Sequence, residues 1–81
     1  MKKSLYQRHT EYQENKLRNY IENQINHAFD SGSEQAIHNV YQAIYSYKTA
    51  FSVTDQENFR KICMKYIDAI RIMAKREGVQ L

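Results

Sequence analysis

A chain of 81 residues with no proline, and with glycine only at Gly32 and Gly78, has few ways to turn sharply. Turns and β-hairpins rarely do without these two residue types, so the sequence commits itself to helix. What remains is to find where the helices stop. "DSGS", residues 30–33, is the first break: Gly32 suits the left-handed conformation that follows a helix end, Ser33 is a good N-cap, and Glu34 is favourable in a first turn. "SVTDQE", residues 52–57, is the second. Thr54 with Glu57 three residues on has the spacing of a capping box, and Asp55 adds negative charge at the positive end of the helix dipole. Gly78 closes the last helix.

These signals predict helices over about 17–30, 34–51 and 55–76. Both connections are short, so consecutive helices run antiparallel. The expected fold is all-α: a small three-helix antiparallel bundle, up-down-up, with a long first helix whose residues 1–16 form a polar helical extension or arm. In the first helix Leu17, Tyr20, Ile21, Ile25, Ala28 and Phe29 recur at three- and four-residue steps. In the third, Phe59, Ile62, Cys63, Tyr66, Ile67, Ile70, Met73 and Ala74 share one face, opposite a side rich in lysine and arginine. A domain this short buries only a little over half of its unfolded surface, so it gains from a disulfide, a metal or a partner. Cys63 is the single cysteine, which excludes an internal disulfide and fits a reducing, cytoplasmic setting. The basic start is followed by no apolar run of the secretory kind, and no window approaches the ~18 apolar residues of a membrane span.

The second helix is unusually apolar. Ala36, Ala43 and Ala50 form one edge, Ile37, Val40, Ile44, Tyr47 and Phe51 the middle, and Tyr41 and Tyr45 extend past them toward the polar side. The apolar arc spans roughly 220°, about twice what a surface helix needs. A middle helix touches two neighbours, and an alanine edge lets one of them come close. Tyr41 and Tyr45 exceed that need. On the third helix Met64 and Ile72 fall among the charges, and exposed Met beside Arg suits a partner-binding surface. Tyr41, Tyr45, Met64 and Ile72 are therefore the candidate protein interface.

Catalytic chemistry has little foothold. Two glycines 46 positions apart cannot form a phosphate loop. His9, His27 and His38 form no i,i+4 pair with another histidine or a cysteine; a zinc site at the first loop needs His27, His38, Asp30 and Glu34 to converge, and solvated histidines are the simpler reading. Cys63 lies on an apolar face, where a thiol behaves as a small hydrophobe. No enzyme activity, metal, cofactor or small-molecule substrate is expected.

Residues 20–47, "YIENQINHAFDSGSEQAIHNVYQAIYSY", resemble in outline the short helical-hairpin phosphatases of sporulation phosphorelays. That family carries Ser-x-x-x-Asp on its second helix. Here Ser33 is followed four residues later by Ile37, and the second helix has no aspartate, so no family is assigned.

Two functions from different classes follow. The first is a cytoplasmic protein-binding module, a regulator or inhibitor acting by contact and self-associating as a homodimer; small helical regulators of this kind are carried by phages and plasmids, an analogy of fold alone. A first helix of nearly thirty residues favours the dimer. The alternative is a nucleic-acid-binding accessory protein, consistent with a net charge of +3 and a pI near 9.1. It would use Lys2, Lys3 and Arg8 of the arm with Lys61, Lys65, Arg71 and Lys75 of the third helix. Glu11, Glu14, Glu57 and Asp68 interrupt those patches. A helix-turn-helix drawn over residues 40–66 would present Asp55, Gln56 and Glu57 to the phosphates, the wrong sign for a reading helix.

Overall fold

A computed structural model describes residues 4–81. It contains three helices, α1 (Leu5–Asp30), α2 (Glu34–Val53) and α3 (Glu57–Arg76), and no strand among the described residues. The fold is the all-α three-helix bundle with a long first helix that the punctuation predicts. No described helix is long and apolar enough to cross a membrane.

Residues 5–16 continue α1 without a break. Their start is set by a capping box not read in the sequence: Ser4 Oγ accepts from the Gln7 amide at 3.1 Å, and the Ser4 amide donates to Gln7 Oε1 at 3.0 Å. At about 1.5 Å per residue α1 is about 39 Å long, against about 30 Å for α2 and α3. Its first turns run past the α2–α3 connection, and Leu5 and Tyr6 are about four-fifths exposed there. The long axis of the molecule, 46 Å, follows from this overhang.

The first connection behaves as expected. Gly32 has φ +69°, and Ser33 Oγ accepts from the Ala36 amide at 3.3 Å. So does the end of α3: Gly78 has φ +72°, the Gly78 amide donates to Lys75 O and the Val79 amide to Ala74 O at 2.8 Å, a Schellman closure. That closure turns Val79 into the core, an addition the helical period could not reveal.

The second connection corrects the sequence reading. Thr54 does not cap α3. It ends α2, its hydroxyl donating back to Ala50 O at 3.0 Å, and α3 begins two residues later than expected, at Glu57, behind Gln56, whose side chain makes no cap bond. The Gln56 amide donates to Phe51 O at 2.9 Å and the Asp55 amide to Ser52 O at 3.3 Å. This is the same Schellman geometry, with Asp55 rather than glycine in the left-handed position, φ +58°. Two helix signals competed for one short segment, and the C-terminal closure of α2 won. An L residue in that region costs roughly 1–2 kcal/mol, less for aspartate than for most. Asp55→Gly is accordingly expected to stabilise the protein by about 1 kcal/mol and to raise Tm by roughly 4–8 °C, read by thermal denaturation.

The core is almost wholly aliphatic: Ile21, Ile25 and Ala28 from α1, Ile37, Val40 and Ile44 from α2, and Ile62, Cys63, Ile67, Ile70 and Ala74 from α3, joined by Val79. Leu17, Phe29, Tyr47, Phe51, Tyr66 and Met73 pack partly buried around it. The rings of Phe51 and Phe59 stack at 5.3 Å where α2 turns into α3. α2 and α3 form the closest pair, and α1 lies less tightly on both. The alanine edge of α2 faces α1 but is not filled by it. Ala36 and Ala43 line an open groove of about 340 Å³ between the two helices, and Ala50 is exposed. Tyr20, expected in the core, stands half exposed at the rim of that groove, its hydroxyl 3.5 Å from that of Tyr47. The pairing with Tyr20, and then burial, raise the Tyr47 phenol above its ordinary range.

Candidate functional site

The surplus tyrosines of α2 lie along its outer seam with α3. The Arg71 guanidinium reaches across from α3 and donates to the Tyr41 hydroxyl, from Nη2 at 3.0 Å and from Nε at 3.3 Å. The rings of Tyr41 and Tyr45, one helical turn apart, meet at a centroid distance of 5.8 Å and a tilt of 47°. Lys48 Nζ stands 4.6 Å over the Tyr45 ring. Arg71, Tyr41, Tyr45 and Lys48 thus form a cation–aromatic ladder, with Arg71 5.9 Å from the Tyr41 ring centroid at one end and Lys48 over Tyr45 at the other.

The antiparallel arrangement extends the ladder. Moving from Tyr41 to Lys48 along α2 is moving from Arg71 toward Met64 along α3. Seven residues separate each pair, about 10.5 Å of rise on both helices. Met64 and Arg71 lie only about 20° apart around α3, so Met64 belongs to the same seam. Its sulfur receives Arg60 Nη1 at 2.9 Å, and Arg60 is also paired with Glu57. That pairing holds the Glu57 carboxyl below its ordinary range. Tyr45 and Met64 are each about 40% exposed, and Tyr41 is half-buried. Here an apolar and aromatic strip is bordered by Lys48, Arg60 and Arg71.

Ile72 does not join it. It follows Arg71 by one residue, hence about 100° around α3 and away from the seam, 57% exposed and near Asp68 and Arg76 on its own helix. Three of the four interface candidates come together and the fourth stands apart. The sequence placed Tyr41 and Tyr45 toward the polar side of α2, and the i,i+3 spacing brings Lys48 to Tyr45, but it held no signal that Arg71, 30 positions away, would reach Tyr41.

The basic candidates are dispersed. Lys2 and Lys3 lie outside the described residues. Arg8 is exposed on α1, Arg71 is committed to Tyr41, and Lys75 is exposed near the end of α3. Lys61 and Lys65 line a shallow cleft with Arg18, Glu14 and Tyr66, between α1 and α3. In this cleft the Tyr66 hydroxyl donates to the Glu22 carboxylate. Burial, and then that bond, push the Tyr66 phenol up to about 12.

Among the described residues no group of three or more His, Cys, Asp or Glu side chains is placed to hold a metal ion. Cys63 is fully buried, and burial pushes its thiol up. The architecture defines the chain as a small three-helix bundle with a cation-bordered aromatic seam. No protein-family model, curated protein or solved structure matches it.

Proposed function

We propose that the protein is a protein-binding module that works through the α2–α3 seam, and that its first partner is a second copy of itself. The observation that supports this reading is the strip formed by Tyr41, Tyr45 and Met64, which stays open to solvent while arginine and lysine border it. Tyr, Met and Arg are the residue types enriched where proteins meet, and rigid aromatic anchors supply most of the binding energy at such sites. A twofold axis on the seam would set each copy's strip against the other's, an arrangement that uses one surface twice. In this reading Ile72 has no part, and the regulatory action, as inhibitor or adjuster of a larger target, follows from the same surface being offered or withheld.

The test is sedimentation equilibrium over a wide concentration range at low and high salt. The wild-type chain is expected to dimerise, and the double variant Tyr45→Ser/Met64→Lys to sediment as a monomer with unchanged far-ultraviolet circular dichroism. Ile72→Ser is expected to dimerise like the wild type. A wild-type chain that stays monomeric throughout would overturn self-association. Loss of helicity in the double variant would make the strip part of the core and overturn the interface.

A further inference from the structure

The described residues hold three sulfur atoms, and their surroundings differ sharply. Cys63 is fully buried and Met73 is half-buried, whereas Met64 is 41% exposed. Cys63 and Met64 are neighbours in sequence and so about 100° apart around α3. One sulfur closes the core and the next stands at the surface. That surface is the α2–α3 seam, where a facing copy must cover the Met64 side chain.

The contact made by the Met64 sulfur is unusual. A thioether is a weak hydrogen-bond acceptor. The Arg60 guanidinium nevertheless directs Nη1 to Met64 Sδ at 2.9 Å, while its Nη2 holds the Glu57 carboxylate. A strong, charged donor is thus already in place beside an atom that makes little use of it. Oxidation changes that balance. A lone pair of the sulfur attacks one oxygen of hydrogen peroxide, and the O–O bond breaks. The sulfur keeps that oxygen as a sulfoxide, and the proton it carried passes to the departing hydroxide to give water. Two electrons have moved from sulfur to peroxide. A flexible apolar side chain has become a polar one. The sulfoxide oxygen is a strong acceptor, and Arg60 offers it a charge-assisted hydrogen bond at the border of the strip. A facing copy would have to strip water from that new polar group in order to cover it.

We propose that Met64 is a redox switch of the seam. As a thioether it completes the apolar strip and the copies associate; as a sulfoxide, formed by a hydroperoxide, it drives them apart. A thiol-dependent sulfoxide reductase reverses the step, the oxygen leaving as water while two thiols join in a disulfide. This switch rests on the seam being the contact between copies. Exposure makes it selective: peroxide reaches Met64 before Met73, and Cys63 is out of reach.

The experiment treats the whole chain with hydrogen peroxide, locates the added oxygen by peptide mass spectrometry, and follows association by sedimentation equilibrium. Met64 is expected to be oxidised ahead of Met73, and the dimer dissociation constant to rise by about tenfold or more with helicity unchanged. Sulfoxide reductases acting on both sulfoxide epimers are expected to restore the dimer. Met64→Leu is close in volume and keeps Met1 and Met73. It is expected to dimerise equally well before and after peroxide. An untreated wild-type chain that is monomeric would overturn the seam as a contact, and the switch with it. A dimer that survives full oxidation of Met64, equal peroxide sensitivity in Met64→Leu, or oxidation of Met73 first would overturn the switch alone.

Discussion

Ile70→Ala is expected to destabilise the protein by about 2–5 kcal/mol, the range for truncating an isoleucine in a close-packed core. Ile70 is 0% exposed, on the face of α3 that fills the middle of the bundle. The loss has two parts: the buried methyl and methylene groups no longer leave water on folding, and the space they vacate is only partly refilled. For a chain of 81 residues the whole margin of stability is roughly 4–12 kcal/mol, so this single change removes a large share of it. Thermal denaturation should show Tm lowered by roughly 8–40 °C. Ile72→Ala is the control. It removes the same atoms two residues away, but from a side chain 57% exposed, and is expected to cost less than about 0.5 kcal/mol. Equal costs at the two positions would contradict the orientation of α3 on which both the core and the seam depend.

The contrast between Ile70 and Ile72 also marks what the sequence could disclose. Periodicity alone separates them, since Ile70 shares a stripe with Ile62, Ile67 and Ala74 while Ile72 falls among Lys65, Asp68 and Arg76. The ends at Gly32 and Gly78 were equally legible, because a left-handed residue after a helix leaves glycine almost no rival. Asp55 is the rival that was missed. Thr54 and Glu57 have the spacing of an N-terminal cap, and local spacing cannot tell which of two adjoining helices claims the segment. The capping box of Ser4 and Gln7 was visible as Ser-x-x-Gln, but without an apolar stripe behind it the first turns read as a polar helical extension or arm, the choice left open. Overhang beyond the other helices explains the missing stripe, since those turns have little to pack against.

The candidate seam was half legible. That Tyr41 and Tyr45 exceed the needs of a core follows from their place on the helical wheel. That Arg71 donates to Tyr41, and that Met64 lies on the seam whereas Ile72 does not, depends on how α2 and α3 are set against each other. No pattern within one helix encodes that register.

Cys63 gives the second large expected effect, and it measures the core from within. The thiol is 0% exposed, and burial pushes it up, so the folded protein offers a disulfide reagent neither access nor much thiolate. Modification must wait for an opening, and its rate is then the unfolded rate multiplied by the opening equilibrium constant. Small domains have folding equilibrium constants of roughly 10³–10⁸, so Cys63 is expected to react at least about a thousandfold more slowly in buffer than in denaturant. Ile70→Ala should accelerate the native reaction by more than about tenfold, because every 1.4 kcal/mol lost shifts an opening equilibrium by a factor of ten, while Ile72→Ala should leave it unchanged. The size of the protection identifies the unit that opens. α1 lies less tightly than α2 and α3 lie on each other, so α1 is the natural element to open first. Protection equal to the stability measured in urea would mean that Cys63 stays covered until α2 and α3 separate. Protection well below it would mean that departure of α1 alone uncovers the thiol, and that the outward face of α1 is carried by a segment less stable than the hairpin behind it.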